Sequence, residues 1–236
     1  MRLIAFTAVC EEDRAYAPQY IKEAERLNLE FVIHFDKCSR STIQQFQASD
    51  LFKGSTQNDD PAKLFSDADR QGIFDLASRF STRLLSWDVD ETWERDFRTK
   101  WSLLDKSFET VLVRVAHLWD SKEHVRSDAA FQKVNPIRRR IFSNENGQLF
   151  RYTAPCIASP SLLNVLPGDS REIYSDITCV HWGFLTAKDR LKHKNRWDRL
   201  FNYHMGRNPY GFWNFICDEE SYPAETTPHN LFEITK

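Results

Sequence analysis

The first ninety residues alternate between two periodicities, and this alternation restricts the fold more than any other property of the chain. Two short apolar runs rich in strand formers, "LIAFTAV" (3–9) and "EFVIHFD" (30–36), flank the stretch "APQYIKEAERLN" (17–28). There Tyr20, Ile21, Ala24 and Leu27 recur at helical spacing, and Asn28 ends the run. "RSTIQQFQAS" (40–49) reads as a helix capped by Ser39 or Ser41, and the polar stretch 50–69 reads as a loop. "DRQGIFDLASRFS" (69–81) places Ile73, Phe74, Ala77 and Phe80 on one helical face, and "RLLSW" (83–87) is a third strand. Strands and helices in this order predict an α/β fold, with a mainly parallel sheet flanked by helices.

In such sheets ligands gather beyond the carboxyl ends of the strands. Three of those ends are polar and mostly acidic: "CEED" after the first strand, "DKCS" after the second and "DVDE" after the third. Repulsion among carboxylates at a strand end has to be offset by something positive. On an extended chain residues i and i+2 point the same way, so Asp88 and Asp90 are expected to converge on one cation. Carboxylate oxygens are hard ligands suited to Mn²⁺ or Mg²⁺, ions that complete their shells with substrate phosphates.

Beyond residue 100 the pattern turns to strands. "FETVLVRVAHLW" (108–119), "IRRRIFS" (137–143), "QLFRYTAP" (148–155) and "SDITCVHWGF" (175–184) are candidates, followed by a helix over 186–206 that stops at Gly206. The tail after 208, with three prolines, reads as irregular. With 236 residues, 41% of them hydrophobic, the chain can bury one large core. A net charge of -2 argues against a nucleic-acid binder. The five cysteines are widely spaced with no CxxC pair, so neither a disulfide framework nor a thiolate zinc site is expected. A reducing, cytoplasmic setting fits, and neither a signal peptide nor an 18-residue apolar stretch is present. The glycine-rich phosphate loops of dinucleotide and P-loop proteins are absent.

Two enzyme chemistries use an acidic strand tip of this kind. "DVDET" (88–92) matches the first motif of haloacid dehalogenase-type phosphatases, with Asp88 as nucleophile and Asp90 as acid/base. That motif normally opens its domain, whereas 87 residues precede it here, and no clear later acidic pair completes the magnesium site. The second chemistry rests on a resemblance over residues 1–203. "LIAFTAVCEEDRAYAPQYIKEA", "FVIHFDKCSRST", "RQGIFDLASRFSTRLLSWDVDE", "HLWDSKEHVRSD", "NPIRRRIFS" and "CVHWGFLTAKDRLKHKNRWDRL" follow, in order and spacing, the segments of metal-dependent glycosyltransferases of the GT-A fold, in particular family-2-like members.

This resemblance implies a single Rossmann-like GT-A domain over 1–236. Residues 1–100 would form the nucleotide-sugar half, 101–206 a smaller acceptor-side β portion that completes the metal site, and 207–236 an irregular tail. The implied donor is a nucleoside diphosphate sugar, a UDP-sugar in the first instance, and the acceptor a hydroxyl of a glycan or glycoconjugate, with inversion. Asp88, Asp90 and His181 would hold Mn²⁺ or Mg²⁺. Thr7, Asp36, Arg70, Asp88, Arg190 and Lys194 would contact the nucleotide. Asp120 would be the base, with Trp119 stacking on a sugar ring and raising its pKa by desolvation, and Glu91 or Asp128 its alternatives. Arg126 and Asp128 would bond acceptor hydroxyls. Cys10 and Lys37 depart from the family pattern, where Asn and a second Asp are usual. A binding module that kept the fold without turnover is a third reading.

Overall fold

The computed structural model describes residues 2–63, 65–104, 107–128, 137–143, 171–205, 217, 224–229 and 231. The strand expected over 148–155 and the stop at Gly206 lie outside them. The described residues form two compact units: Met1–Asp90, Leu104–Leu112 and Arg139–Ser175 make the first, and Glu91–Leu103, Val113–Arg138 and Asp176–Lys236 the second. The expected halves met at residue 100, whereas the chain changes unit at residues 90, 103, 112, 138 and 175.

In the first unit, β1 (Ile4–Cys10), β2 (Glu30–Asp36), β3 (Phe52–Asn58) and β4 (Arg83–Ser86) are parallel, in the order β3-β2-β1-β4. β1 and β2 are apolar along nearly their whole length because they lie inside a sheet covered on both faces. A short 3-10 turn (Glu11–Tyr16) leads from β1 into α1 (Ala17–Leu27), and α2 (Arg40–Gln47) and α3 (Asp67–Ser78) complete the crossovers. Asn28 closes α1 in the left-handed region, at φ 43°, where asparagine pays less than most residues.

Two clusters hold this unit. Ile73, Phe74 and Ala77 of α3 pack on Ile4, Phe6, Val32, Leu84 and Phe142. Elsewhere in the unit Tyr20 of α1 stacks on Trp87 at 4.1 Å and meets Phe31 and Phe46 edge-on. Each fully buried side chain of this size contributes about 1.5–3 kcal/mol. Phe142 comes from β8 (Ile137–Ser143), which pairs antiparallel with β4. The sequence places 137–143 with acceptor-side strands; in the structure β8 extends the parallel sheet. The loop expected over 50–69 is also corrected. About a third of it is β3, an edge strand whose residues are mostly half-exposed, so its polar sequence "FKGSTQN" carries no apolar alternation.

In the second unit, β5 (Glu91–Trp93) pairs antiparallel with β9 (Glu172–His181), and β9 also lies beside β6 (Thr110–Trp119). β6 turns directly into β7 (Ser121–Arg126), which pairs with β10 (Thr226–Pro228). Two helices belong here, α4 (Phe97–Leu103) and α5 (Ala187–Met205). The buried Glu94 ties the unit together: Thr178 N–H donates to it at 2.6 Å and Lys100 Nζ at 2.8 Å. No described helix is long and apolar enough to cross a membrane.

Candidate functional site

At the carboxyl ends of β1 and β2, the acidic residues are largely engaged in holding backbone. Asp13 accepts from Cys10 N–H at 3.2 Å. Glu11 accepts from Ser39 N–H at 2.8 Å and from the Thr42 hydroxyl at 2.9 Å, so it caps α2, and the Ser39 N–H draws its pKa below the ordinary carboxylate value. Asp36 ends β2 and accepts from Asn58 Nδ2 at 3.0 Å. Thr7 is fully buried inside β1. Arg70 lies inward on α3, buried, its guanidinium 5.0 Å over the Phe65 ring. His34 packs on that ring at 5.1 Å and meets Thr56 Oγ1 at 2.8 Å; burial pushes its pKa below the ordinary value.

The acidic tip after β4 differs from its expected geometry. β4 ends at Ser86, and Val89 and Asp90 form a turn, so the period of two that was to align Asp88 with Asp90 does not operate. Arg140 of β8, itself buried, donates to Asp88 Oδ2 at 3.1 Å. Arg140 belongs to the "IRRRIFS" run, and nothing in that run marked it as the partner of Asp88. Asp90 is buried.

In the second unit three histidines gather around Phe184. His181 ends β9, His117 sits on β6 and His193 on α5. His181 and His193 offer ligand atoms within 4.8 Å of one another. His117 Nδ1 lies 2.9 Å from His181 Nδ1. The Phe184 ring stacks on His117 at 5.0 Å and meets His181 and His193 edge-on at 4.5 and 5.5 Å. His181 was a sequence candidate; His117 and His193 were not. His193 lies twelve residues after His181, and only the fold brings the two rings together. In register, Glu91 of β5 is the partner of His181 on β9.

The residues expected on the acceptor side contact one another and α5. Two guanidinium groups lie over the Trp119 ring, Arg126 at 4.3 Å and Arg190 at 4.2 Å from its centroid. These contacts bind the end of β6 to β7 and to the start of α5 and occupy the surface on which a sugar was expected to stack. Arg126 has a fully buried side chain and donates to Asp128, so the two expected acceptor contacts bond each other. Asp120 forms the β6–β7 turn with φ 57°, and its carboxylate is 60% exposed. Arg190 Nη1 donates to Asp120 Oδ1 at 2.9 Å and to the Phe184 carbonyl at 3.0 Å. Lys194 donates to Asp198 at 2.6 Å. The two expected diphosphate ligands on α5 therefore hold carboxylates of their own unit.

No protein-family profile matches the chain, and no curated protein does. Solved structures do resemble it. S. aureus TarS 1–349 in complex with UDP-GlcNAc shares 9% identity over 94% of this chain and 78% of that one, with a TM-score of 0.48. The inositol-1-phosphate CTP transferase from T. maritima shares 10% identity over 85% and 96%, with a TM-score of 0.46. HddC from Yersinia pseudotuberculosis shares 10% over 81% and 97%, with a TM-score of 0.43. Against a longer TarS chain, this one spans 43% of the length. The described sheet is parallel at β3-β2-β1-β4, with β8 antiparallel beside β4, so the α/β class with a mainly parallel sheet is as the periodicities predicted.

Proposed function

We propose that the chain is a glycosyltransferase that moves a sugar from a nucleoside diphosphate sugar to an acceptor hydroxyl, with a divalent cation held in the second unit by His181 and His193. The observation that carries this reading lies within the second unit. Two imidazoles from different elements, one on β9 and one on α5, offer ligand atoms to one point. Imidazole ligands suit Mn²⁺ better than Mg²⁺, which favours oxygen ligands. When bound, such a cation neutralises charge on the departing diphosphate.

This chain's own groups supply the rest. Asp88, held by Arg140, would contact the ribose of the donor. Asp120 remains the base: Arg190 fixes one carboxylate oxygen at an exposed turn, so the group keeps one orientation while it takes the acceptor's proton. Arg190 is then an orienter of the base, and Trp119 a support for Arg190.

A thermal-shift panel of UDP, GDP, CDP and dTDP, each with and without Mn²⁺, tests the proposal. Stabilisation by one diphosphate, dependent on Mn²⁺ and lost in His193→Ala, is expected; a ligand at 100 times its Kd adds about 2.7 kcal/mol. Stabilisation by fluoroberyllate and by no nucleotide would return the reading to the phosphatase, with Asp88 as nucleophile. A flat response would leave the non-catalytic module.

A further inference from the structure

The histidine pair in the second unit contains more than two candidate ligands. Between His117 Nδ1 and His181 Nδ1, 2.9 Å apart, lies a single hydrogen, because each neutral imidazole carries one and a hydrogen bond needs one nitrogen to donate and one to accept. Both rings are buried, and Phe184 contacts both, flat against His117 and edge-on to His181. The rings therefore have little freedom to leave the bond, and two arrangements remain. If His181 donates, its hydrogen is on Nδ1 and its lone pair is on Nε2. If His117 donates, His181 carries its hydrogen on Nε2, where a cation cannot bind.

We infer that His117 is a positioning residue that accepts the Nδ1 hydrogen of His181 and so fixes His181 in the tautomer that can coordinate a cation through Nε2. The inference rests on the cation site proposed above. Metal-binding histidines commonly donate the second ring N–H to a carboxylate, a carbonyl or water. Here a neutral imidazole has that place. It adds no charge to the site, and it accepts only while its own hydrogen is on Nε2. The cation and His117 therefore select the same proton arrangement from opposite ends of the His181 ring.

Two variants separate this role from simple packing. His117→Phe keeps a ring against Phe184 and removes the acceptor. His117→Asn is smaller but places an amide oxygen near the former Nδ1. Affinity for Mn²⁺ is measured by calorimetry, and the tautomer of His181 by two-bond ¹H–¹⁵N spectra of histidine-labelled protein, without metal and with diamagnetic Zn²⁺. His117→Phe should weaken Mn²⁺ binding 10- to 100-fold. Its His181 resonances should no longer show one hydrogen held on Nδ1, while His117→Asn recovers most of the affinity and the Nδ1–H signature. Cooperative melting of both variants establishes that they fold. Unchanged Mn²⁺ affinity in His117→Phe, or His181 protonated on Nε2 in the Zn²⁺-bound wild type, overturns the inference alone. A wild-type protein that binds neither ion overturns the cation site, and this assignment with it.

Discussion

Cys38 and His34 show how far a buried setting moves a side chain's chemistry. The Cys38 thiol, held against the Val9 carbonyl, is pushed up to about 12 by burial first and by nearby acidic groups second. It has almost no thiolate at neutral pH and is inert. Iodoacetamide on the native protein should label exposed Cys217 and spare Cys38, and urea should abolish the difference. Mass spectrometry of the digested protein reads both. His34 has a pKa below its unfolded value of about 6.5. Below that pH the unfolded chain takes up a proton that the folded chain resists, so stability is complete above about pH 6.5 and falls as the pH drops further. The slope from this one group is at most about 1.4 kcal/mol per pH unit. Urea midpoints between pH 5 and 7.5 should decline less steeply in His34→Phe than in wild type. At this scale the sequence conveyed residue type better than residue duty. Acidic strand tips were legible, but whether a carboxylate caps a helix, as Glu11 does, or meets a buried arginine, as Asp88 does, depends on residues 28 and 52 positions away.

Glu94 is the joint between β9 and α4, and its removal is a test of elements rather than of one group. Glu94→Ala strands the Thr178 N–H and removes one of the partners of Lys100, which keeps the Asp176 carbonyl. A loss of about 2–4 kcal/mol is expected from urea unfolding, since a hydrogen bond to a charged group is worth about 1.5–3 kcal/mol and only the Thr178 donor is left bare. Lys100→Met, which leaves the backbone donor in place, should cost less. Elements with a full apolar period were readable in advance: α1, α3, β1, β2, β6 and α5 lie within a few residues of where spacing put them. β3, β7 and α4 were not. β3 and β7 are mostly half-exposed and α4 spans seven residues, so their pattern is too short or too polar to stand out. Trp119 illustrates the same limit from the opposite side. An aromatic beside an aspartate was legible, but the two arginines over its ring come from other elements and were not.

For the whole molecule, the threading of the chain matters most. Neither unit is a continuous segment, since the first takes back residues 104–112 and 139–175 after giving up the chain at Asp90. A fragment of residues 1–90 keeps every parallel strand but lacks β8, leaving the edge of β4 unpaired and Phe142 missing from the core cluster. Circular dichroism of that fragment should show no cooperative melt, whereas the full chain melts cooperatively. The α/β class was plain from the order of periodicities, because each strand–helix step is local. The interleaving was not, because it depends on pairings such as β4 with β8 that link residues more than fifty positions apart. That link also sets a timetable for synthesis. A ribosome adding roughly 5–20 residues per second needs about 3–10 s to pass from residue 90 to residue 143. During that wait the nascent sheet offers a bare strand and an incomplete greasy surface to whatever binds it first. Newly made chains should therefore depend on holding chaperones until β8 has left the exit tunnel, and slowing translation between these positions should lower the soluble yield.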